Sequence, residues 1–273
     1  MGILTESCPG LIQWLEELSE FAGYLWQRGW AERNAGNVSV DVTDCVSSLD
    51  SSSHRDSCRQ FECSYPSLAG RYFLVTGTGH RFRDIAKNVA CHACILRISD
   101  DGGGYSLVWG GEGCPNFKPT SELPSHLRIQ EYFFKSKSQN KVVLHTHPLE
   151  LIALTHFPEH QNENAINAAL WGIHTEVKIL VPQGVGLVPY LLPGSEKLAE
   201  ATLAALQRGH SAVVWEKHGC LAIGPNIVEA FDMIDTLNKA ASLILLCKSA
   251  GLTPQGLTKE QLDEMARVFN LKE

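Results

Sequence analysis

His145-Thr146-His147 closes the apolar run Val142-Val143-Leu144, which reads as a strand. Side chains alternate along a strand, so both imidazoles share one face, with Cα atoms roughly 6.5–7 Å apart at ~3.3 Å per residue. That separation lets both rings converge on one cation at about 2.0–2.1 Å, the usual zinc–nitrogen distance. Two hydrogen-bonded histidines at a strand end, with no metal, are the competing reading. His218 stands between the strand Ala212-Val213-Val214-Trp215 and Gly219, a small residue that lets the chain turn beside a site. It is either a third ligand or a core or surface histidine. Three imidazoles and an open fourth position are the arrangement of catalytic rather than structural zinc.

Glu122 follows two hydroxyl residues at a helix start. It reads as a carboxylate favoured by the helix dipole, or, if it faces the histidines, as a proton carrier. Gly77-Thr78-Gly79 follows a strand, so its amides could converge on a phosphate. Asn34 and Asn37, around a flexible Ala-Gly, could add side-chain amide donors. Ordinary turn chemistry explains both loops equally well, and neither is a P-loop or a dinucleotide fingerprint, since Gly77-x-Gly79 lacks a third glycine. Cys91-His92-Ala93-Cys94 has metal or redox spacing, but Cys94 opens an apolar strand and no second cysteine pair stands at finger spacing. His54 with Cys45, Cys58 and Cys63 could form an accidental structural site and is an equally weak cluster. His156, His160 and His174 read as local or surface histidines.

The elements that must position these groups follow from periodicity. Leu11, Trp14, Leu15, Leu18, Phe21, Ala22 and Leu25 recur at spacings of three and four, which predicts a helix ending near Gly29. A strand is expected at 38–42, then a Ser-, Asp- and Cys-rich surface excursion over 43–69. A strand at 72–76 and a hairpin of 94–98 with 105–109 follow. Thr120-Ser121-Glu122 opens a helix with a hydroxyl as N-cap, and Pro124 is tolerated in its first turn. Further on, strands are expected at 141–145, 177–181, 211–215 and 220–223, and a Gly/Pro-rich loop at 182–193. Helices are expected at 148–154, 162–170, 195–208 and 227–249, and a last one begins at Thr258 with Gln261 completing a capping box. Strands and helices interleave with no repeat, which predicts one α/β domain over 1–273 around a single sheet.

The composition excludes several classes. Thirty acidic against 23 basic residues give a net charge of −7, with no basic excess to displace counterions from nucleic acid or to hold an anionic membrane. The longest nearly unbroken apolar run, Ala240 to Cys247, falls far short of the roughly 20 residues that span a bilayer. Met1 to Gly10 carries Glu6 and no basic cluster, unlike a secretory signal. Nine cysteines are an odd number and scattered, so reduced thiols in a cytoplasmic protein are expected.

Taken in order, Glu-Arg-Asn-Ala-Gly-Asn (32–37), Val-Thr-Gly-Thr-Gly (75–79), Thr-Ser-Glu-Leu-Pro (120–124), His145-x-His147, Leu170-Trp171-Gly172 with Glu176, and Lys217-His218-Gly219 resemble the class II aldolase/adducin family over nearly the whole chain. The resemblance implies a mixed, largely antiparallel sheet flanked by helices, and a zinc-dependent retro-aldol cleavage of L-rhamnulose 1-phosphate to dihydroxyacetone phosphate and L-lactaldehyde. It assigns His145, His147 and His218 to one Zn2+ per subunit, and Glu122 to catalysis. It assigns Asn34, Asn37, Thr78, Thr120 and Ser121 to the phosphate, with Gly77 shaping the loop. Glu176 becomes a second catalytic glutamate, assisting at the aldehyde oxygen and reaching in from a neighbouring subunit of a homotetramer. L-fuculose-phosphate aldolase and pentulose-phosphate 4-epimerase chemistry are the rival activities within the family. An adducin-like interaction domain, which would be expected to lose the metal ligands, is the rival of another class. Two departures stand out: the 43–69 stretch matches no functional motif, and His80-Arg81 stands where a lysine or similar residue is expected.

Overall fold

The computed structural model describes residues 8–46 and 58–271. These fall into two compact units, one within Met1–Leu144 and Gly224–Val228, the other within His145–Ile223 and Glu229–Glu273.

The first unit begins with α1 (Pro9–Gln27), whose Leu11, Leu15, Leu18, Ala22 and Leu25 form the buried stripe set by their spacing. Each such leucine stabilises the unit by roughly 1.5–3 kcal/mol. There follow β1 (Asn37–Asp41), β2 (Arg59–Gln60), β3 (Tyr72–Thr76), the short helices α2 (Phe82–Ile85) and α3 (Val89–His92), β4 (Ala93–Ile98), β5 (Gly104–Gly110) and α4 (Leu123–Ser136). β6 (Val142–Thr146) begins in this unit and ends in the second. The strands run β2-β5-β4-β3-β1-β6. Each registered pair among β1 to β5 is antiparallel, with Ser39 opposite Val75 and Val75 opposite Cys94. The Asp41 amide donates to the Lys141 carbonyl at 2.9 Å, beside the start of β6. Leu123 and Leu127 of α4 pack into a cluster with Phe73, Val75, Leu96 and Ile98. That packing sets α4 over the sheet and fixes Glu122 at its N-terminus.

In the second unit come α5 (Leu149–Leu154), α6 (Glu163–Ile173), α7 (Thr175–Leu180), β7 (Val185–Val188), α8 (Glu196–Gln207), β8 (Ala212–Trp215) and all but the last residue of β9 (Gly219–Gly224). α9 (Ile227–Ser249) and α10 (Lys259–Val268) complete the described chain. β7 and β8 are parallel with α8 as their crossover, whereas β8 and β9 are antiparallel. Strand pairing is therefore mixed and largely antiparallel, as expected. The Ser195 cap of α8 and the reciprocal Thr258–Gln261 capping box of α10 form as their residue types require.

Four expectations need correction. Val177 to Val181 is not a strand: residues 175–180 form α7, with Val177 and Lys178 buried and the Lys178 ammonium 4.4 Å from the Trp171 ring centre. A short apolar run does not distinguish helix from strand, and local packing decides. Within the expected loop 182–193 lies β7. A Cβ on Gly186 would stand 2.7 Å from the Ala205 Cβ, so this glycine admits close helix packing rather than marking a turn. Residues 43–69 are not wholly a surface excursion, because Val46, Tyr65 and Leu68 are buried; the Ser-rich part with His54 lies outside the described residues. Finally, no hydroxyl caps α4. Its N-cap is Glu122, whose own amide donates to Thr120 Oγ1 at 3.2 Å in the preceding turn.

Candidate functional site

The second unit gathers three histidines. His145 and the residue after it end β6, His147 follows at once, and His218 sits in the turn between β8 and β9. Their ring centres are 5.0–5.2 Å apart. One ligand nitrogen from each lies within 4.8 Å of the others. The turn is held open for this purpose. Lys217 adopts φ +59°, and its amide donates to Thr155 Oγ1 at 2.9 Å. Gly219 then lets β9 press against β6, since a Cβ there would stand 2.6 Å from the Thr146 carbonyl and 2.8 Å from His145 Cε1.

His145 is buried, and its Nδ1 lies 3.0 Å from the Cys220 carbonyl. That acceptor requires the Nδ1–H tautomer and puts the lone pair on Nε2, the second-sphere arrangement that orients metal-binding imidazoles. Trp215 packs against His145 and His218 with tilted rings, 4.4 and 5.0 Å between ring centres. Its own indole N–H is satisfied by the buried Thr202 hydroxyl at 2.9 Å. Burial pushes the Cys220 thiol up to about 12, so it is inert beside the site. Three neutral nitrogen donors, one tautomer fixed from behind, fit a zinc-type ion.

Glu122 belongs to the first unit, and so do the polar loops. Its Oε2 accepts from Asn37 Nδ2 at 2.9 Å. Behind Asn37 stands His126, fully buried on α4, which reaches Asn37 Oδ1 through Nε2 at 2.5 Å and Ser39 Oγ through Nδ1 at 2.8 Å. Burial pushes the His126 imidazole down to about 4, with the Glu122 charge opposing more weakly, so the ring is neutral near pH 7. The sequence reading missed His126, Ser39 and Gln130. The signal was present: Glu122, His126 and Gln130 are spaced i, i+4, i+8 on one helix face, and Asn37 and Ser39 share one strand face.

The glycine turn is tied to the α4 entry. Gly77 pairs with Pro119, the Thr120 amide donates to the Thr76 carbonyl at 2.8 Å, and Thr78 Oγ1 donates to the Pro119 carbonyl at 2.7 Å. Gly77, Thr78, Thr120 and Ser121 are thus neighbours in one unit. The open amide cradle expected of this turn is not what forms. The amides of Gly77 and Thr78 donate to the carbonyls of His92 and Lys118, both at 2.9 Å. Gly77 has no room for a side chain, with His80 Cδ2 and Phe117 Cζ only 2.4 and 2.5 Å from a Cβ position. His80 Nδ1 lies 2.8 Å from His92 Nδ1, and burial, then the His92 charge, pull His80 below its ordinary range. Asn34 is exposed in the turn before β1, whereas Asn37 is buried. Glu176 is exposed in the first turn of α7. Cys91 to Cys94 forms no metal site among the described residues, because Cys94 is wholly buried with its thiol pushed far up by desolvation.

The model of the class II aldolase and adducin N-terminal domain matches residues 16–245. The chain belongs to this family. A rhamnulose-1-phosphate aldolase of Bacteroides thetaiotaomicron is 39% identical across 99% of both chains. One from Listeria welshimeri is 34% identical, covering 94% of this chain and 92% of that one. Among solved structures, a sugar-phosphate aldolase from Thermotoga maritima superposes with a TM-score of 0.77 at 33% identity, covering 90% of this chain and 99% of that one. An L-fuculose 1-phosphate aldolase, at 20% identity and a TM-score of 0.61, shares the fold. A class II aldolase fold is thus established, and no described helix is long and apolar enough to cross a membrane.

Proposed function

We propose that this chain is a lyase that cleaves L-rhamnulose 1-phosphate to dihydroxyacetone phosphate and L-lactaldehyde. The observation that carries the metal chemistry is the convergence of His145, His147 and His218. The substrate follows from relatives that carry rhamnulose-1-phosphate aldolase names across almost their full length. Zinc, one per subunit, would be held by these three imidazoles and would supply Lewis-acid stabilisation of the electron density left on the ketone fragment.

The remaining steps fall to the protein. The C4 hydroxyl passes its proton to the Glu176 carboxylate, the C3–C4 bond breaks with its electron pair passing to the ketone fragment, and the aldehyde forms at C4. Glu122 then protonates C3, which completes dihydroxyacetone phosphate. Glu176, exposed on α7, serves at the aldehyde oxygen from a neighbouring subunit of a homotetramer. Asn34, Thr78, Thr120 and Ser121 bind the phosphate around the loop shaped by Gly77. Thr78 must exchange its hydrogen bond to Pro119 in order to donate. Asn37, assigned to the phosphate by the family resemblance, has its amide between Glu122 and His126, and we place it with the carboxylate. Neutral donors around the phosphate add no charge that competes with the cation. The compartment that suits this metabolism is the cytoplasm.

The deciding assay offers L-rhamnulose 1-phosphate, L-fuculose 1-phosphate and L-ribulose 5-phosphate, each with and without chelator. Preferred cleavage of the rhamnulose ester, lost on chelation, is expected. Preference for either other sugar would overturn the substrate assignment.

A further inference from the structure

The buried polar chain behind Glu122 has a direction that its donors and acceptors fix. A carboxylate oxygen only accepts, so Asn37 must turn its NH2 group to Glu122 Oε2 and its carbonyl to His126. His126 Nε2 must then carry the proton. In a neutral ring Nδ1 is left as an acceptor, and the Ser39 hydroxyl must donate to it. The Ser39 oxygen in turn accepts from Gln130 Nε2 at 3.3 Å, and that same amide nitrogen donates to the Lys141 carbonyl at 2.9 Å. Gln130 to Ser39 to His126 to Asn37 to Glu122, every bond points the same way. Ser39, His126 and Gln130 are at most 2% exposed and Asn37 is 6% exposed, so water does not readily substitute for any of them.

We propose that His126, oriented by Ser39, is a positioning residue that locks the Asn37 amide and so makes Glu122 exchange its catalytic proton through Oε1. This rests on the reading of Glu122 as the proton carrier. Oε2 already receives the Asn37 N–H. A proton on Oε2 would take up a lone pair on the oxygen that already accepts from Asn37 and weaken that bond; for Oε2 to donate to Asn37 instead, the amide would have to flip and the tautomer of His126 change with it. Oε1 can gain or lose a proton while the chain stays as it is. An ordinary core network would merely hold α4 against β1. This one also sets which oxygen of a carboxylate does the work, and its removal should be felt in turnover rather than in binding.

The test compares His126→Phe, which keeps a ring without a donor, with His126→Gln, whose amide can replace the Nε2–H. Both are measured in the metal-loaded enzyme with L-rhamnulose 1-phosphate, and metal content and thermal melting are recorded beside kcat and KM. His126→Phe removes both bonds of the ring, and the one that bears on Glu122 is the bond to Asn37, whose buried acceptor is left unpaired; that predicts a fall in kcat of about tenfold. KM and metal content should be unchanged, and His126→Gln should recover most of the rate. Ser39→Ala, which only unfixes the tautomer, should lower kcat less, and it serves if His126→Phe fails to fold. In a Glu122→Ala background, His126→Phe should cost nothing further. Equal losses in the Phe and Gln variants, a change confined to KM or metal content, or full additivity with Glu122→Ala would overturn the proposal. If Glu122→Ala itself leaves kcat untouched, the proton-carrier reading fails first and takes this one with it.

Discussion

Gly219→Ala is a one-carbon perturbation aimed at the metal centre without touching a ligand. The added Cβ would stand 2.6 Å from the Thr146 carbonyl oxygen, 2.8 Å from His145 Cε1 and 3.0 Å from His147 Cδ2. Ordinary contacts lie near ~3.5–4.0 Å, so relief requires movements on the order of 0.5–1 Å in β6 or in the two imidazoles. Overpacking of this size costs roughly 1–3 kcal/mol of stability. The sharper effect is on the ion, because two of three ligands must move. Changes in the groups that orient metal ligands typically weaken metal affinity about 10–100-fold. Competition against a chromophoric chelator measures that affinity, and a thermal melt separates it from unfolding. Gly23→Ala is the control: its Cβ would meet Ala86 at 3.8 Å, an ordinary contact inside a helix, so affinity stays and stability holds or rises slightly. A Gly219→Ala enzyme that binds zinc as tightly as the parent would refute the claim that this close approach of β9 to β6 shapes the triad.

Other consequences concern the ligands, the acid and the buried histidine. His145→Ala or His218→Ala should remove bound metal and activity together while the far-ultraviolet circular dichroism survives; metal retained at parent stoichiometry would exclude that residue as a ligand. Glu122→Ala should keep metal and lower kcat by about 10²–10⁴-fold, the range for a lost general acid or base; an unchanged kcat would remove it from proton transfer. For stability, the folded pKa of His126, about 4, lies below its ordinary 6.5. Between those values the unfolded chain binds the extra proton, so this contribution is full above pH 6.5 and is lost as pH falls toward 4, on the order of 3 kcal/mol in all. Urea unfolding at pH 7 and 4.5 measures it, and His126→Gln should flatten the difference; an equally steep dependence in that variant would assign the titration elsewhere.

The strands and helices with strong periodicity were legible, and His145-x-His147 at a strand end put two imidazoles on one face, whereas His218 was open as a ligand or a core histidine until the family resemblance joined it to the pair. What was not legible depended on three-dimensional neighbours. Residues 177–181 are largely apolar in any conformation, and tertiary packing on Trp171, from Lys178 over its ring and from its indole N–H to the Val181 carbonyl at 3.0 Å, accompanies the helix. Gly186 looked like loop chemistry but is a small residue under a helix. The glycine turn at 77–79 looked like an anion cradle, yet its first two amides bind backbone carbonyls that come from residues 92 and 118. His126 escaped because a lone histidine in a helix has no local partner. Its meaning appears only when the i, i+4 face of α4 is laid against the i, i+2 face of β1.

The central claim is that His145, His147 and His218 hold one divalent ion on which carbon–carbon cleavage depends. The direct measurement is the ion-to-subunit ratio, followed through a chelator titration in parallel with dihydroxyacetone phosphate release from L-rhamnulose 1-phosphate. The account predicts one ion per subunit, activity that falls in proportion as the ion is withdrawn, and recovery when zinc is returned. Undiminished turnover by protein stripped of metal would contradict it.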